Sequence, residues 1–248
     1  MSLAISISLR AEPIRRLTGR RVWIVAAGAL VLLVAAGIGV SRTPLFAARD
    51  ILVRGGAHVP DARIVQLAGI SPGTSVLWLD EAAAERRLEA EPWIARAEVV
   101  GEFPSTVRIS VTERTSVAVA TDGLRSSLMA GDGTSLGTGE RDPAIPLIRL
   151  SASGSVDRPA PGPVGAARAL GAMAPGLRDR IDRVLVRLDG TLEIRLEDGL
   201  LVRFGTPSEF QEKARAIRRM LAWAHEQGER ILRLTVTTPR APAAILAP

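Results

Sequence analysis

The sequence predicts an α+β body behind a single N-terminal membrane anchor, and three observations carry that reading. Val22–Val40 is a run of 19 residues without a charge. Glu91–Ala120 holds two extended segments joined at Phe103-Pro104-Ser105, the second alternating Val107, Ile109 and Val111 with polar residues. A period of two gives a strand one apolar and one polar face. Val184–Phe204 reads as short strands joined by Asp189-Gly190 and Asp198-Gly199, and it leads into an amphipathic helix. Asp-Gly is a favoured turn of a tight β-hairpin.

From the N-terminus, residues 1–21 form a basic tail expected to lie in the cytoplasm. Arg10, Arg15, Arg16, Arg20 and Arg21 stand there against Glu12, a net of 5 − 1 = +4. The whole chain has 32 − 26 = +6, so only +2 remains for the rest of it. The body therefore has no dominant positive field, and nucleic acid is not an expected partner. The uncharged run, residues 22–40, matches the ~30 Å hydrocarbon core at ~1.5 Å per residue. A cleavable signal would have an apolar region of ~7–15 residues, so a retained signal anchor is expected. Residues 7–21 hold five Arg and residues 41–55 hold three, which favours the N-terminus inside and the body outside. Trp23 suits the interfacial belt.

Beyond the anchor, Phe46–Val53 is predicted to be extended, ending at Gly55-Gly56. Pro60-Asp61 opens a short helix through Leu67, with Gly69 as its stop. Ser71-Pro72-Gly73-Thr74 is a turn, and Asp80 caps a second helix over Glu81–Glu89. Pro92 ends that helix, and the bulky Trp93 after it is placed as an anchor between helix and sheet. The order is β-α-α-β-β, with helices on one sheet face. Trp93, Ile94, Val107, Ile109 and Val111 are its expected core.

The remainder reads as a mainly antiparallel β domain with a late amphipathic helix. Asp132-Gly133 is a turn between short extended pieces, residues 151–163 are a Ser/Gly/Pro loop, and Val164–Met173 is helical. After the hairpin meander, Thr206-Pro207-Ser208-Glu209 has the pattern of a capping box with Pro at the first helical position. The helix it launches repeats Phe210, Ala214, Ile217, Leu221 and Ala224 on one face. Gly228 stops it, and residues 230–237 form a last strand. The tail beyond carries Pro239, Pro242 and Pro248, which oppose ladder bonding, so that strand is predicted to be a sheet edge open to a partner. Arg230, Ile231, Arg233, Thr235 and Thr237 are the candidate partner-binding residues, with Leu232, Leu234 and Val236 facing the core.

No catalytic constellation is found. Cysteine is absent, and the two histidines, His58 and His225, have no second His a helical turn away. Gly131–Gly137 loosely mimics a phosphate loop but lacks its Lys, and a hairpin explains it better. Glu98, Glu102 and Glu113 read as surface carboxylates, the arginine pairs 86–87 and 218–219 as solvated helix faces, and Trp78, Trp93 and Trp223 as packed or half-buried rings. No enzyme activity, metal, cofactor or small-molecule substrate is expected.

These residues carry a resemblance. Ile51-Leu52-Val53-Arg54-Gly55, Pro72-Gly73, Leu77–Asp80, Pro92-Trp93-Ile94, Ala97-Glu98-Val99, Phe103-Pro104 and Val107–Arg114, ending in Glu113-Arg114, resemble a POTRA domain. Behind a lone anchor they resemble the bacterial division family FtsQ/DivIB. Ile145-Pro146-Leu147 and Lys213, the chain's one lysine, fit the family's later Leu-Pro step and Lys-bearing helix. The resemblance implies a tail (1–21), an anchor (22–40), a POTRA domain (45–118), an FtsQ/DivIB-type β domain (119–238) and a C-terminal tail (239–248). It implies a noncatalytic scaffold of the division machinery in the cell membrane at the septum, docking FtsB-like and FtsL-like membrane proteins by strand addition. Other division proteins would meet the POTRA domain. Where the Gram-negative version carries a partner-contacting Tyr, this sequence has Arg233. Two alternatives are a POTRA-bearing component of a secretion or outer-membrane assembly system and an anchored wall hydrolase. The first is disfavoured because no barrel strands follow, the second by the missing catalytic groups.

Overall fold

The structure is a computed structural model that describes residues 19–41, 44–140, 144–150 and 161–248. The basic tail before residue 19 and most of the loop expected at 151–163 lie outside the described residues. The chain divides into two compact units: Met1–Ile51 with Ser71–Leu79 and Gly101–Val107, and Leu52–Ile70 with Asp80–Val100 and Arg108–Pro248.

Helix α1, Gly19–Ser41, covers the uncharged run. Among the described residues, no helix is long and apolar enough to cross a membrane. A single 3₁₀ turn, Pro44–Phe46, follows, then β1, Asp50–Arg54. Within the first unit the backbone is laced by Ala48 N–H donating to Thr74 O (2.8 Å), Gly73 N–H to Ala48 O (3.1 Å) and Arg49 N–H to Ser105 O (2.8 Å).

The predicted β-α-α-β-β order is present: β1, α2 (Asp61–Ala68), α3 (Glu81–Glu89), β2 (Ile94–Glu102) and β3 (Thr106–Glu113), in a sheet ordered β1-β3-β2. Gly69 adopts the left-handed conformation that closes α2, and the Asp80 side chain accepts from Ala83 N–H at 2.9 Å to open α3. Gly55 has φ +91, and a Cβ there would meet Val111 O at 2.0 Å, so only glycine allows this close approach. Ile64, Ala68, Ala84 and Leu88 of the helices are buried, as are Ile94, Val107, Ile109 and Val111. Trp93 departs from expectation. It is half-buried, its ring stacked on His58 at 4.2 Å and 13°, because it falls in the turn before β2 rather than on the core-facing row of the strand. Trp78 and Trp223 are exposed, at 64% and 41%.

A second sheet of nine strands holds β4 (Ser116–Thr121), β5 (Ser126–Ala130), β6 (Ser135–Thr138), β7 (Leu147–Leu150), β8 (Ile181–Val186), β9 (Leu192–Leu196), β10 (Leu201–Gly205), β11 (Ile231–Thr235) and β12 (Ala243–Leu246). Its order is β12-β11-β10-β9-β8-β7-β4-β5-β6. Most pairings are antiparallel, but β4–β7, β7–β8 and β10–β11 are parallel. The last two follow from helical crossovers: α4 (Pro161–Gly171) with the short α5 (Pro175–Arg178) links β7 to β8, and α6 (Phe210–Gln227) links β10 to β11. Helices α4 and α6 pack on one face, burying Ala166, Ala169, Leu170, Ala214 and Ile217 against Ile148, Val184, Ile194, Val202 and Leu234.

Helix α6 does not start where its sequence predicts. It begins at Phe210, after Glu209 at φ 50, and the side chain of Glu209 makes no cap bond. Thr206 serves differently from a capping residue. Its carbonyl accepts from Lys213 Nζ at 2.8 Å, and its hydroxyl lies 3.3 Å from Ser208 Oγ. Lys213 is fully buried, with Nζ 4.9 Å from the Phe204 ring centre. Burial lowers its pKa, against a smaller opposing effect of Glu209.

Candidate protein-binding sheet face and edge

The last predicted strand is not an edge. β11 is hydrogen-bonded on both sides: parallel to β10, with Leu201, Val202 and Arg203 opposite Arg233, Leu234 and Thr235, and antiparallel to β12. The tail, despite its prolines, turns back after Pro239 and supplies β12 from the proline-free Ala243–Leu246. The predicted opening therefore moves out by one strand, and β12 ends the sheet.

The five candidate residues separate accordingly. Ile231 is buried, because a register shift between Ile231 and Arg233 turns it toward the core and leaves Leu232 exposed at 45%. Leu234 and Val236 are buried as expected. Arg233 and Thr235 share the helix-free face, Arg233 opposite Ile245 and Thr235 opposite Ala243. Thr237 follows the strand and sits over Gly205, where an added Cβ would come within 2.7 Å of Thr237 Cγ2. Arg230 precedes the strand, and its carbonyl accepts from Ala247 N–H at 2.7 Å.

The helix-free face shows what single-residue reading missed. One cross-strand row runs Leu147, Arg183, Arg195, Leu201, Arg233, Ile245. The next runs Arg149, Leu185, Glu193, Arg203, Thr235, Ala243. Among these, Arg183 pairs with Asp182 (2.7 Å) and Glu193 with Arg187. Arg149, Arg195, Arg203 and Arg233 are exposed and have no ion pair among the described residues. Arg183 stands directly opposite Arg195, an arrangement that costs sheet stability. The signal was in the sequence as one arginine in each of β7, β8, β9, β10 and β11, but lining them up requires the strand order. Both rows end at β12, where Ile245 is 56% exposed. Between the first turns of α6 and the chain just after Pro239, a cleft of about 500 Å³ is lined by Glu209, Glu212, Arg215, Arg218, Arg219, Pro239 and Arg240. Arg218 and Arg219, read as a solvated helix face, thus line a concavity.

Two neighbouring residues at the end of β3, Glu113 and Arg114, act as fasteners. The Glu113 carboxylate accepts from the N–H groups of Ala57 (3.0 Å), His58 (2.9 Å) and Val59 (3.0 Å), and lies 2.8 Å from His58 Nδ1. Burial pushes its pKa up, but the bonds from Val59, the His58 ring, and the His58 and Ala57 amides outweigh it and hold the group at about 2. His58, read as a solvated surface residue, is thereby fixed between Glu113 and Trp93. Arg114 donates to Pro92 O (2.9 Å) and Ile94 O (2.6 Å), and its Nε reaches Asp132 Oδ2 at 2.7 Å in the β5–β6 turn.

Comparison with known proteins gives one domain family: the POTRA domain of FtsQ type matches residues 46–114. The cell division protein FtsQ of Mycolicibacterium smegmatis is 31% identical over 205 residues, covering 83% of this chain and 61% of that protein. FtsQ of Mycobacterium tuberculosis H37Rv is 28% identical over 197 residues, covering 78% and 62%. The chain thus spans less than two thirds of the length of these relatives. Among solved structures, the major extracytoplasmic domain of the trans isomer of the division protein DivIB from Geobacillus stearothermophilus aligns with a TM-score of 0.35 and 14% identity, over 45% of this chain and 93% of that one.

Proposed function

With an FtsQ-type POTRA domain and FtsQ-like sequence over most of its length, this chain is a relative of the bacterial FtsQ/DivIB division proteins, and from that premise we propose that it is a noncatalytic scaffold of cell division. It is anchored by residues 22–40 and docks FtsB-like and FtsL-like membrane proteins outside the membrane. The observation that supports docking is the β12 edge. An added strand there would continue the rows that carry Arg233 and Arg203, so backbone bonds supply affinity and acidic side chains on the arginine side supply selectivity. The POTRA limits 45–118 belong to this reading, and the β domain, expected over 119–238, extends through β12 to Leu246.

The test uses Ile245→Asp and Arg233→Glu in the full chain. Both positions are exposed, so circular dichroism should remain that of wild type. Co-purification with the FtsB-like partner is expected to fall at least tenfold for each. Folded variants that bind like wild type would remove the β12 edge as the docking site.

A further inference from the structure

The part of the first unit that follows α1 carries an apolar surface that the docking reading does not use. α1 ends at Ser41, and Leu45 follows four residues later. Four residues reach at most ~14 Å, so Leu45 and Phe46 cannot lie far from the end of that helix. Three segments of the first unit meet there. Phe46 and Phe103 pack edge to face with ring centres 6.3 Å apart. Ala47 forms a bridge with Ser75, one residue before the 3₁₀ turn Val76–Trp78. Arg49 N–H bonds to Ser105 O, which ties the Phe103 turn to the segment leading into β1. On this scaffold Leu45 is 62% exposed, Leu77 40%, Trp78 64% and Phe103 62%. The stretches Leu45-Phe46, Leu77-Trp78 and Phe103-Pro104 contain no charge.

We propose that this end of the first unit lies in the headgroup layer of the bilayer, with Trp78 and Phe103 as interfacial anchors and Leu45 and Leu77 beside them. The occupant of the patch is a lipid surface rather than a protein, because the apolar helix tethers the patch within a few residues of its own end. Trp and other aromatic side chains favour that layer, since the ring is apolar and the layer is wet. Three separate chain segments contribute, so contact would fix the tilt of the first unit as well as its height. This inference rests on the anchor of the preceding section, and the experiment separates the two.

The chain has no cysteine, so single sites can be labelled without background. Leu30→Cys, Phe103→Cys, Trp78→Cys and Leu124→Cys, each in the full chain, are labelled with an environment-sensitive fluorophore and placed in phosphatidylcholine/phosphatidylglycerol nanodiscs with and without spin-labelled lipid. Leu124, 95% exposed in the β4–β5 turn, is the reference for water. The expected result is strong quenching at residue 30 by deep spin labels. Quenching at residues 78 and 103 by headgroup-level labels should exceed that at residue 124 at least threefold. Quenching at 78 and 103 equal to that at 124, with residue 30 still quenched, overturns the lipid contact and leaves the anchor standing. An unquenched residue 30 overturns the anchor and this inference with it. Trp78→Cys keeps the test decisive should Phe103→Cys fail to fold.

Discussion

Glu113 shows how one side chain holds a loop by charge. Its folded pKa of about 2 lies below the ordinary 4.5, so its ionised form stabilises the fold. That contribution is present above the unfolded pKa and is lost as pH falls from 4.5 toward 2. Glu113→Gln is expected to destabilise the protein by about 1–3 kcal/mol at pH 7, the range for hydrogen bonds to a charged acceptor. Melting curves at pH 7 and pH 3 check it: the gap between variant and wild type should narrow at pH 3, and an equal gap would show that the charge is not involved. The sequence made Glu113 visible as one of several strand carboxylates and His58 as a turn residue. It did not reveal their contact, which joins residues more than 50 positions apart. Trp93 was misjudged for a related reason. Size argued for burial, but position in the turn gave the ring an imidazole to stack on instead of a core. Its truncation to Ala should therefore cost less than the ~3–5 kcal/mol of a core aromatic.

At the scale of elements, periodicity and punctuation were the legible part. Asp80 and Gly69 marked the helix ends where the structure has them, and the Asp-Gly turns marked the hairpins. The start of α6 was illegible because Lys213 reaches back to the Thr206 carbonyl and the turn is built around that buried ammonium. The edge was misread because proline content was counted over the whole tail, whereas Ala243–Leu246 contains none. Packing between elements was invisible as well. Gly171, at the end of α4, would place a Cβ 2.4 Å from Gly131 O in the β5–β6 turn. Gly171→Ala is expected to cost about 1–3 kcal/mol by forcing helix and turn apart. Gly176→Ala, where an added Cβ meets nothing within 4 Å, should not show that steric penalty. Thermal melts of the two compare them directly, and equal melting temperatures would mean that the contact yields without cost.

For the molecule as a whole, the order of segments could be read from the sequence, and the nine-strand order could not. Local patterns announce strands, but two of the three parallel pairings follow from crossovers by α4 and α6 that only the folded chain displays. The anchor is a prediction at this scale: Edman sequencing of the membrane-extracted protein should give an N-terminus ahead of residue 22, and a start near residue 40 would mean cleavage. The arginine rows have a further consequence, one of time and medium. Exposed charge of one sign speeds the first encounter with an oppositely charged chain more than it tightens the finished complex. At physiological ionic strength such attraction fades over ~8 Å, and it reaches farther in dilute media. If the proposed strand-adding partner is acidic, its association rate should therefore fall as salt is raised, with the dissociation rate little changed. Stopped-flow mixing at low and high salt checks this, and a salt-independent rate would mean that the arginines do not steer the encounter.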